Sequence, residues 1–240
     1  MKTIEITIPI LNEEATLLGQ VGKAIDFIGE NLQGVGGVTL VLADNGSTDK
    51  TPEIAQVLAA GSPYIEYLRL DQRGVGRALK TSWGRSHADV VGYMDLDLAT
   101  DLGHLRPALE AILSKEADIV TGSRLAKGAK VIGRKPLRGF TSLCFNAMLK
   151  LIFKTSFSDG MCGFKFLKRS LLEEVMATGA RSDGWFFATE ILIVGEYLDY
   201  KVTDLPVVWT DDPSSKVSVA KLAMEYLRAM MVLRKRLNRI

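Results

Sequence analysis

At 240 residues, 47% of them hydrophobic and 24% charged, the chain has the length and composition of one α/β domain with a substantial buried core. Two cysteines, Cys144 and Cys162, without pairing or metal-ligand spacing exclude a disulfide scaffold and fit a reducing compartment; no run of about 18 apolar residues predicts a membrane span, and MKTIEITIPI lacks a signal-peptide layout. The formal net charge of +2 excludes no partner class, but its distribution is uneven: eight basic residues and no Asp or Glu lie between Ile119 and Ser158, and seven Lys/Arg against one Glu lie between Lys216 and Ile240, so an anionic partner is expected on the second half.

Along the chain, Thr3 to Ile10 is β-branched and apolar and reads as a strand, followed by a helical stretch from Asn12 to near Gly34. Val38 to Ala43 is a second strand, and Asp49 to Ala59 a helix with Pro52 in its first turn, where a missing N–H removes no hydrogen bond. Tyr64 to Leu70, Asp89 to Met94 and Asp118 to Thr121 are three further strands, alternating with helices at Val75 to Arg85 and Leu102 to Lys115. Such alternation predicts a mainly parallel sheet flanked by helices, with ligands bound at the carboxyl ends of the strands. In the second half, Pro136 to Phe153 reads as an amphipathic helix with Arg138, Ser142, Asn146 and Lys150 at four-residue steps. A short strand at Gly163 to Leu167, a helix at Trp185 to Tyr197, a strand at Val202 to Trp209 and a last helix from Val217 to Leu237 follow. No repeat or linker interrupts the sequence, so residues 1–240 are read as one domain.

Acids stand where the parallel-sheet rule points: Asp44 after the second strand, Asp95 and Asp97 after the fourth. Two carboxylates flanking one apolar residue face the same side of an extended backbone and can share a hard divalent cation that bridges phosphates. The alternative is a solvated loop capping the helix at Leu102. Arg73-Gly74-Val75-Gly76-Arg77-Ala78 imitates a dinucleotide fingerprint, but Leu79 occupies the third glycine position and the turn is the third βα turn, so it reads as a tight turn into a helix.

Taken together, these motifs resemble the inverting family-two glycosyltransferases of the GT-A fold, most of all the dolichyl-phosphate (polyprenyl-phosphate) mannose and glucose synthases. Pro9-Ile10-Leu11-Asn12-Glu13 resembles the opening P-x-x-N-E, and Asp44-Asn45-Gly46-Ser47-Thr48-Asp49 the D-D-G-S-x-D. Gly74-x-Gly76-x-Ala78, Asp95-Leu96-Asp97, Gly122-Ser123-Arg124 and Asp159-x-x-Cys162-Gly163-Phe164-Lys165 follow in order, then Trp185-x-Phe187-x-x-Glu190 and Trp209 to Lys216. Four positions depart: Asn45 replaces an acid, Ala188 replaces the Asp of W-x-F-D-x-E, and Asp211 and Ser214 replace the Glu and Gly of the glucose-synthase pattern W-x-E-x-x-G-S-K.

The resemblance implies an α/β GT-A domain with a nucleotide-sugar half (1–123), an acceptor half (124–216) and an amphipathic helix (217–240). It implies that Pro9, Glu13 and Asp44 contact the nucleoside and that Asp95 and Asp97 hold Mg²⁺ or Mn²⁺ against the diphosphate. Arg124, Arg134, Arg138 and Lys216 become cations for the donor diphosphate and acceptor phosphate, while Lys127, Lys130 and Lys135 read as surface charges. Asp97, Arg138 and Glu190 are the candidate catalytic groups, Glu190 orienting a sugar hydroxyl or a basic residue, or pairing with a nearby Arg. The expected reaction moves a hexose from a UDP- or GDP-sugar to a polyprenyl or dolichyl phosphate with inversion. A glycan or small-molecule acceptor, and a non-catalytic nucleotide- or lipid-phosphate-binding module, remain alternatives.

The last helix places Val219, Leu222, Tyr226, Met230, Leu233 and Leu237 on one face and Lys221, Glu225, Arg228, Lys235 and Arg239 opposite. That face either packs on the chain's own core or lies on an anionic membrane, with Phe140, Leu143, Leu151, Ile152 and Phe153 supplying a second contact. A peripheral position on the cytoplasmic side of a membrane is expected. Nucleic acid is not, because the basic residues form no recognisable reading module.

Overall fold

The computed structural model describes residues 1–211 and 219–238, with the side chains of 219–223 excepted. Lys216 and Arg239 therefore lie outside the described residues, as do the side chains of Val219, Lys221 and Leu222.

The first half folds as β1 (Thr3–Ile10), α1 (Leu17–Asn31), β2 (Gly37–Asp44), α2 (Thr51–Gly61), β3 (Ile65–Arg69), α3 (Val75–Arg85) and β4 (Val90–Met94). A 3-10 turn at Leu102–His104 leads into α4 (Leu105–Leu113), then β5 (Ile119–Ser123). The second half contains β6 (Lys130–Ile132), α5 (Pro136–Phe153), β7 (Phe164–Lys168), α6 (Leu172–Thr178) and α7 (Phe187–Tyr197). It closes with β8 (Val202–Pro206), β9 (Val208–Thr210) and α8 (Val219–Leu237). The single strand expected over 202–209 is thus two: β8 joins the main sheet beside β5, whereas β9 pairs with β6 in a separate two-stranded ribbon.

The main sheet has seven strands in the order β3-β2-β1-β4-β7-β5-β8. Its neighbours run parallel except at β7, which enters antiparallel between β4 and β5. Side chains alternate across the sheet with the period of an extended backbone. Ile4, Ile6, Ile8 and Ile10 of β1, with Val90 and Met94 of β4, bury beneath α1 and α4. Val91 and Tyr93 of β4 point the other way, into a cluster with α3, α5, α7 and α8. On that second face β1 supplies polar groups instead: Trp83 Nε1 donates to Thr7 Oγ1 at 3.1 Å, and Ser82 Oγ donates to Glu5 Oε1 at 2.6 Å.

Helix α8 takes one of its two expected readings. Tyr226, Met230, Leu233 and Leu237 of α8 are buried in the second cluster, Tyr226 stacking at 5.0 Å from Phe145 and 5.5 Å from Phe186, so this face is spent on the core. Helix α5 buries Ser142 and Asn146 together with Phe145 and Leu149, while Leu137, Phe140, Leu143 and Leu151 face out.

Candidate functional site

Asp44 ends β2 with its side chain fully enclosed. Ser47 N donates to Oδ1 at 2.8 Å, and Tyr67 OH and Arg69 Nη1 donate to Oδ2 at 2.8 and 2.5 Å. Burial alone would raise its pKa; the bonds from Ser47, Tyr67 and Arg69 outweigh it and hold the carboxyl below the usual value. Both oxygens are therefore occupied within the chain. The neighbouring Asn45, 4% exposed, keeps its Oδ1 without a hydrogen-bond partner. Facing it across the strand ends, Asn12 adopts φ 56° and accepts from Thr48 N at 2.8 Å, which fixes the 45–49 loop against β1. Glu13 accepts from Thr16 Oγ1 at 2.7 Å, and Pro9 is half-buried in β1. Pro9, Asp44 and Asn45 thus gather at the carboxyl ends of β1 and β2, where Pro9 pairs with Ala43 in register.

Asp95 follows β4 and lies over Gly163, which precedes β7: a Cβ on residue 163 would stand 1.8 Å from Asp95 Oδ2, so only glycine leaves the carboxylate its place. Asp95 N donates to Gly163 O at 3.2 Å, and Ala99 N donates to Asp97 Oδ1 at 3.0 Å. Burial, reinforced by the adjacent Asp97 carboxylate, pushes Asp95 up to about 7 against the pull of Lys165 and Arg124. Two hard-oxygen donors in mutual repulsion are a donor set suited to Mg²⁺ or Mn²⁺. Among the described residues no group of three or more His, Cys, Asp and Glu gathers to hold a metal, so a cation at this pair would complete its shell with water and ligand oxygens.

Beneath the pair lies a buried ionic cluster. Arg124 grips Asp159 through Nε at 2.7 Å and Nη2 at 3.0 Å, both side chains closed to water, and stacks 4.7 Å from the Trp209 ring centroid. Despite the burial, Arg124 holds Asp159 down to about 2. The Lys165 side chain, 1% exposed, projects from β7 opposite Tyr93 and donates to Cys162 O. At the N-terminal end of α5, Arg134 Nη2 donates to Ser142 Oγ at 2.5 Å and to Arg138 O at 3.2 Å, while its Nε is buried without a partner. Arg138 reaches Asp211 at 3.4 Å, and Asp211 also accepts from Trp209 Nε1 at 3.2 Å. Asp95, Arg124, Arg134 and Arg138 are thereby drawn into one electrostatic neighbourhood with Asp159 and Asp211.

Glu190 is not drawn into it. Fully buried on α7, it accepts from Arg181 N, Ser182 N and Ser182 Oγ at 2.7–2.8 Å and lies 3.7 Å from Arg236 of α8, so it ties the 181–184 loop to the helices. That loop docks on the Gly74-x-Gly76 turn: Gly76 N donates to Gly184 O at 3.1 Å and Arg77 N to Asp183 O at 3.0 Å. A Cβ at Gly76 would meet Ser182 O at 2.4 Å. The α3 N-terminus is therefore capped by the chain itself, which is why a dinucleotide reading of that turn fails.

Asn45, Asp159, Lys165 and Asp211 received no role from the sequence. Their places in the motifs were the available signals, but the grip of Arg124 on Asp159, 35 residues away, is a tertiary fact.

A model of glycosyl transferase family 2 matches residues 5–176. Glycosyltransferase AglD of Haloferax volcanii is 31% identical over 219 residues, covering 91% of this chain and 35% of that protein. A dolichyl-phosphate beta-glucosyltransferase, ALG5C, of Trichomonas vaginalis is 27% identical over 81% of this chain and 60% of its own. The chain thus spans about a third to three-fifths of these two relatives. The crystal structure of glucosyl-3-phosphoglycerate synthase from Mycobacterium tuberculosis, in complex with Mn²⁺, UDP and glucosyl-3-phosphoglycerate, superposes with a TM-score of 0.69 at 19% identity over 99% of this chain and 80% of that one. It shares the fold.

Proposed function

This chain belongs to glycosyl transferase family 2, and on that premise we propose that it moves a hexose from a nucleotide diphosphate sugar to a polyprenyl phosphate, with inversion. The observation that carries the reading is Asp95 and Asp97 at the end of β4 beside Arg124, which is in turn an electrostatic neighbour of Arg134 before α5, a residue whose buried Nε lacks a partner. Relatives named dolichyl-phosphate beta-glucosyltransferases support glucose as the sugar and a lipid phosphate as the acceptor.

Pro9, Glu13, Asn45 and the Asp44–Arg69 pair form the nucleoside end of the site, Asn45 Oδ1 accepting an N–H from the base. Asp95 and Asp97 hold Mg²⁺ or Mn²⁺, which when bound neutralises charge on the leaving nucleoside diphosphate. Arg134 and Arg138, with Lys216 as a further candidate, hold the acceptor phosphate, and Arg124 stiffens the floor through Asp159. A phosphate monoester with a second pKa of about 6 is already ionised near neutrality, so its oxygen attacks the anomeric carbon without a strong base. The new C–O bond forms as the bond to the diphosphate breaks, and the electron pair leaves with the nucleoside diphosphate. Glu190 acts as a positioning residue for the 181–184 loop rather than at the reacting atoms. No helix among the described residues is long and apolar enough to cross a membrane.

The test is a panel of UDP- and GDP-sugars against a short polyprenyl phosphate, with and without EDTA. Metal-dependent transfer that Asp97→Ala abolishes is expected. Undiminished transfer by Asp97→Ala overturns the metal assignment, and a product that keeps the donor's anomeric configuration overturns direct displacement.

A further inference from the structure

Strand β1 buries isoleucines on one side, and its other side is polar: Thr3, Glu5 and Thr7 alternate with Ile4, Ile6 and Ile8. Helix α3 covers that polar side as far as Arg85, with Ser82 hydrogen-bonded to Glu5 and Trp83 to Thr7. Past the end of α3 the sheet lies open. A cleft of about 670 Å³ forms there, over the first residues of β1 and β2 and the start of β3, with Glu5, Thr39, Tyr64 and His87 in its lining. Its size is that of a small-molecule pocket. It sits at the amino ends of the strands, the far end of β1 from Pro9 and of β4 from Asp95.

Glu5 sets this cleft apart. It is 8% exposed and stands in mid-strand, opposite Thr39 in register. Its Oε1 accepts from Ser82 Oγ at 2.6 Å and from Thr7 Oγ1 at 3.5 Å, whereas among the described residues nothing donates to Oε2. Glu5 lines the cleft, so that second oxygen faces it. The neighbouring cations are committed elsewhere, Arg85 to Glu66 at 3.0 Å and Lys2 to Asp89 at 2.6 Å. A carboxylate withdrawn from water, with hydroxyl donors on one oxygen alone, is costly until a donor reaches the other, best a charged one. We propose that the cleft binds a small organic amine, its ammonium group on Glu5 Oε2 and its carbon body against Tyr64. Tyr64, 60% exposed, offers an aromatic wall that suits a cation or the methylenes beside it. The Thr39 hydroxyl, paired with Glu5 across the strands, supplies a further acceptor. Such a site needs no sugar donor, metal or lipid, so it stands apart from the transferase reading.

Butylamine and putrescine are titrated into the unaltered protein by calorimetry, with butanol as the uncharged control, and the contacts are located from backbone amide shifts. Sugar transfer is not measured, so failure here leaves the transferase reading untouched. Binding of both amines but not of butanol, with shifts at Glu5, Thr39 and Tyr64, is expected. Glu5→Gln keeps the size of the side chain and an acceptor for Ser82, and is expected to weaken amine binding about tenfold. Tyr64→Ala is expected to weaken it about threefold, with the fold of both variants checked by circular dichroism. If Glu5→Gln does not fold, the amide shifts of the unaltered protein decide. Absence of binding, equal binding of butanol, or shifts confined to Asp95 and Asp97 overturns the proposal. So does undiminished binding by either folded variant.

Discussion

Asp159 and Arg124 form a bidentate pair that water does not reach, and burial of two charges is tolerable only while each answers the other. Asp159→Asn is predicted to destabilise the fold by about 3–5 kcal/mol in denaturant titration, because it leaves Arg124 buried without its counter-charge. Sign fixes the pH window. Asp159 is held at about 2, below its ordinary 3.8, so its contribution is complete above the ordinary value and is lost as pH falls from there through 2. Acid unfolding of the wild type should show that loss, and Asp159→Asn should lack it. Asp95 has the opposite sign. Burial and Asp97 raise it to about 7, so its ionisation opposes the fold as pH rises towards that value, and a cation at the pair competes with a proton below it. Mn²⁺ affinity measured by calorimetry should weaken as pH drops below 7. A flat profile would contradict an Asp95 carboxyl raised by burial and by Asp97.

Elements hold these residues through close backbone approaches. Gly163→Ala should leave a folded protein whose transfer rate falls about 100-fold, since a Cβ 1.8 Å from Asp95 Oδ2 must displace the carboxylate by an ångström or more. Kinetics beside a circular dichroism spectrum would check it. Boundaries were most legible where punctuation is strong: α3 begins after Gly74 and α5 at Pro136, and both were read to the residue. Helix α6 is seven residues long and β6 three, too short to establish a period. The inward turn of Ser142 and Asn146 escaped the sequence because polar residues at four-residue steps look alike whether solvent or a neighbouring loop satisfies them. At the site, Asp44, Asp95 and Asp97 were legible from their places after strands. Asn45 as the unmatched acceptor was not, because only the structure shows Asp44 saturated by Arg69, Tyr67 and Ser47.

At the scale of the molecule, the proposed donor half (1–123) and acceptor half (124–216) share one sheet. Strand β7, from the second half, separates β4 from β5 of the first, and β8 closes the far edge. A fragment of residues 1–123 is therefore predicted not to fold alone, with an amide spectrum of poor dispersion, because β5 would lose both of its neighbours. Asp95 at the end of β4 and Arg134 before α5 share Arg124 as an electrostatic neighbour, and the proposed joining of a metal-binding pair to a phosphate-binding cluster is the central claim. It is tested most directly by incubating the protein with UDP-glucose, dolichyl phosphate and Mn²⁺ and measuring the glycolipid formed. Glucosyl dolichyl phosphate that appears with Mn²⁺ and disappears with EDTA is the predicted result. Formation at the same rate in EDTA, or by Asp97→Ala, would contradict it.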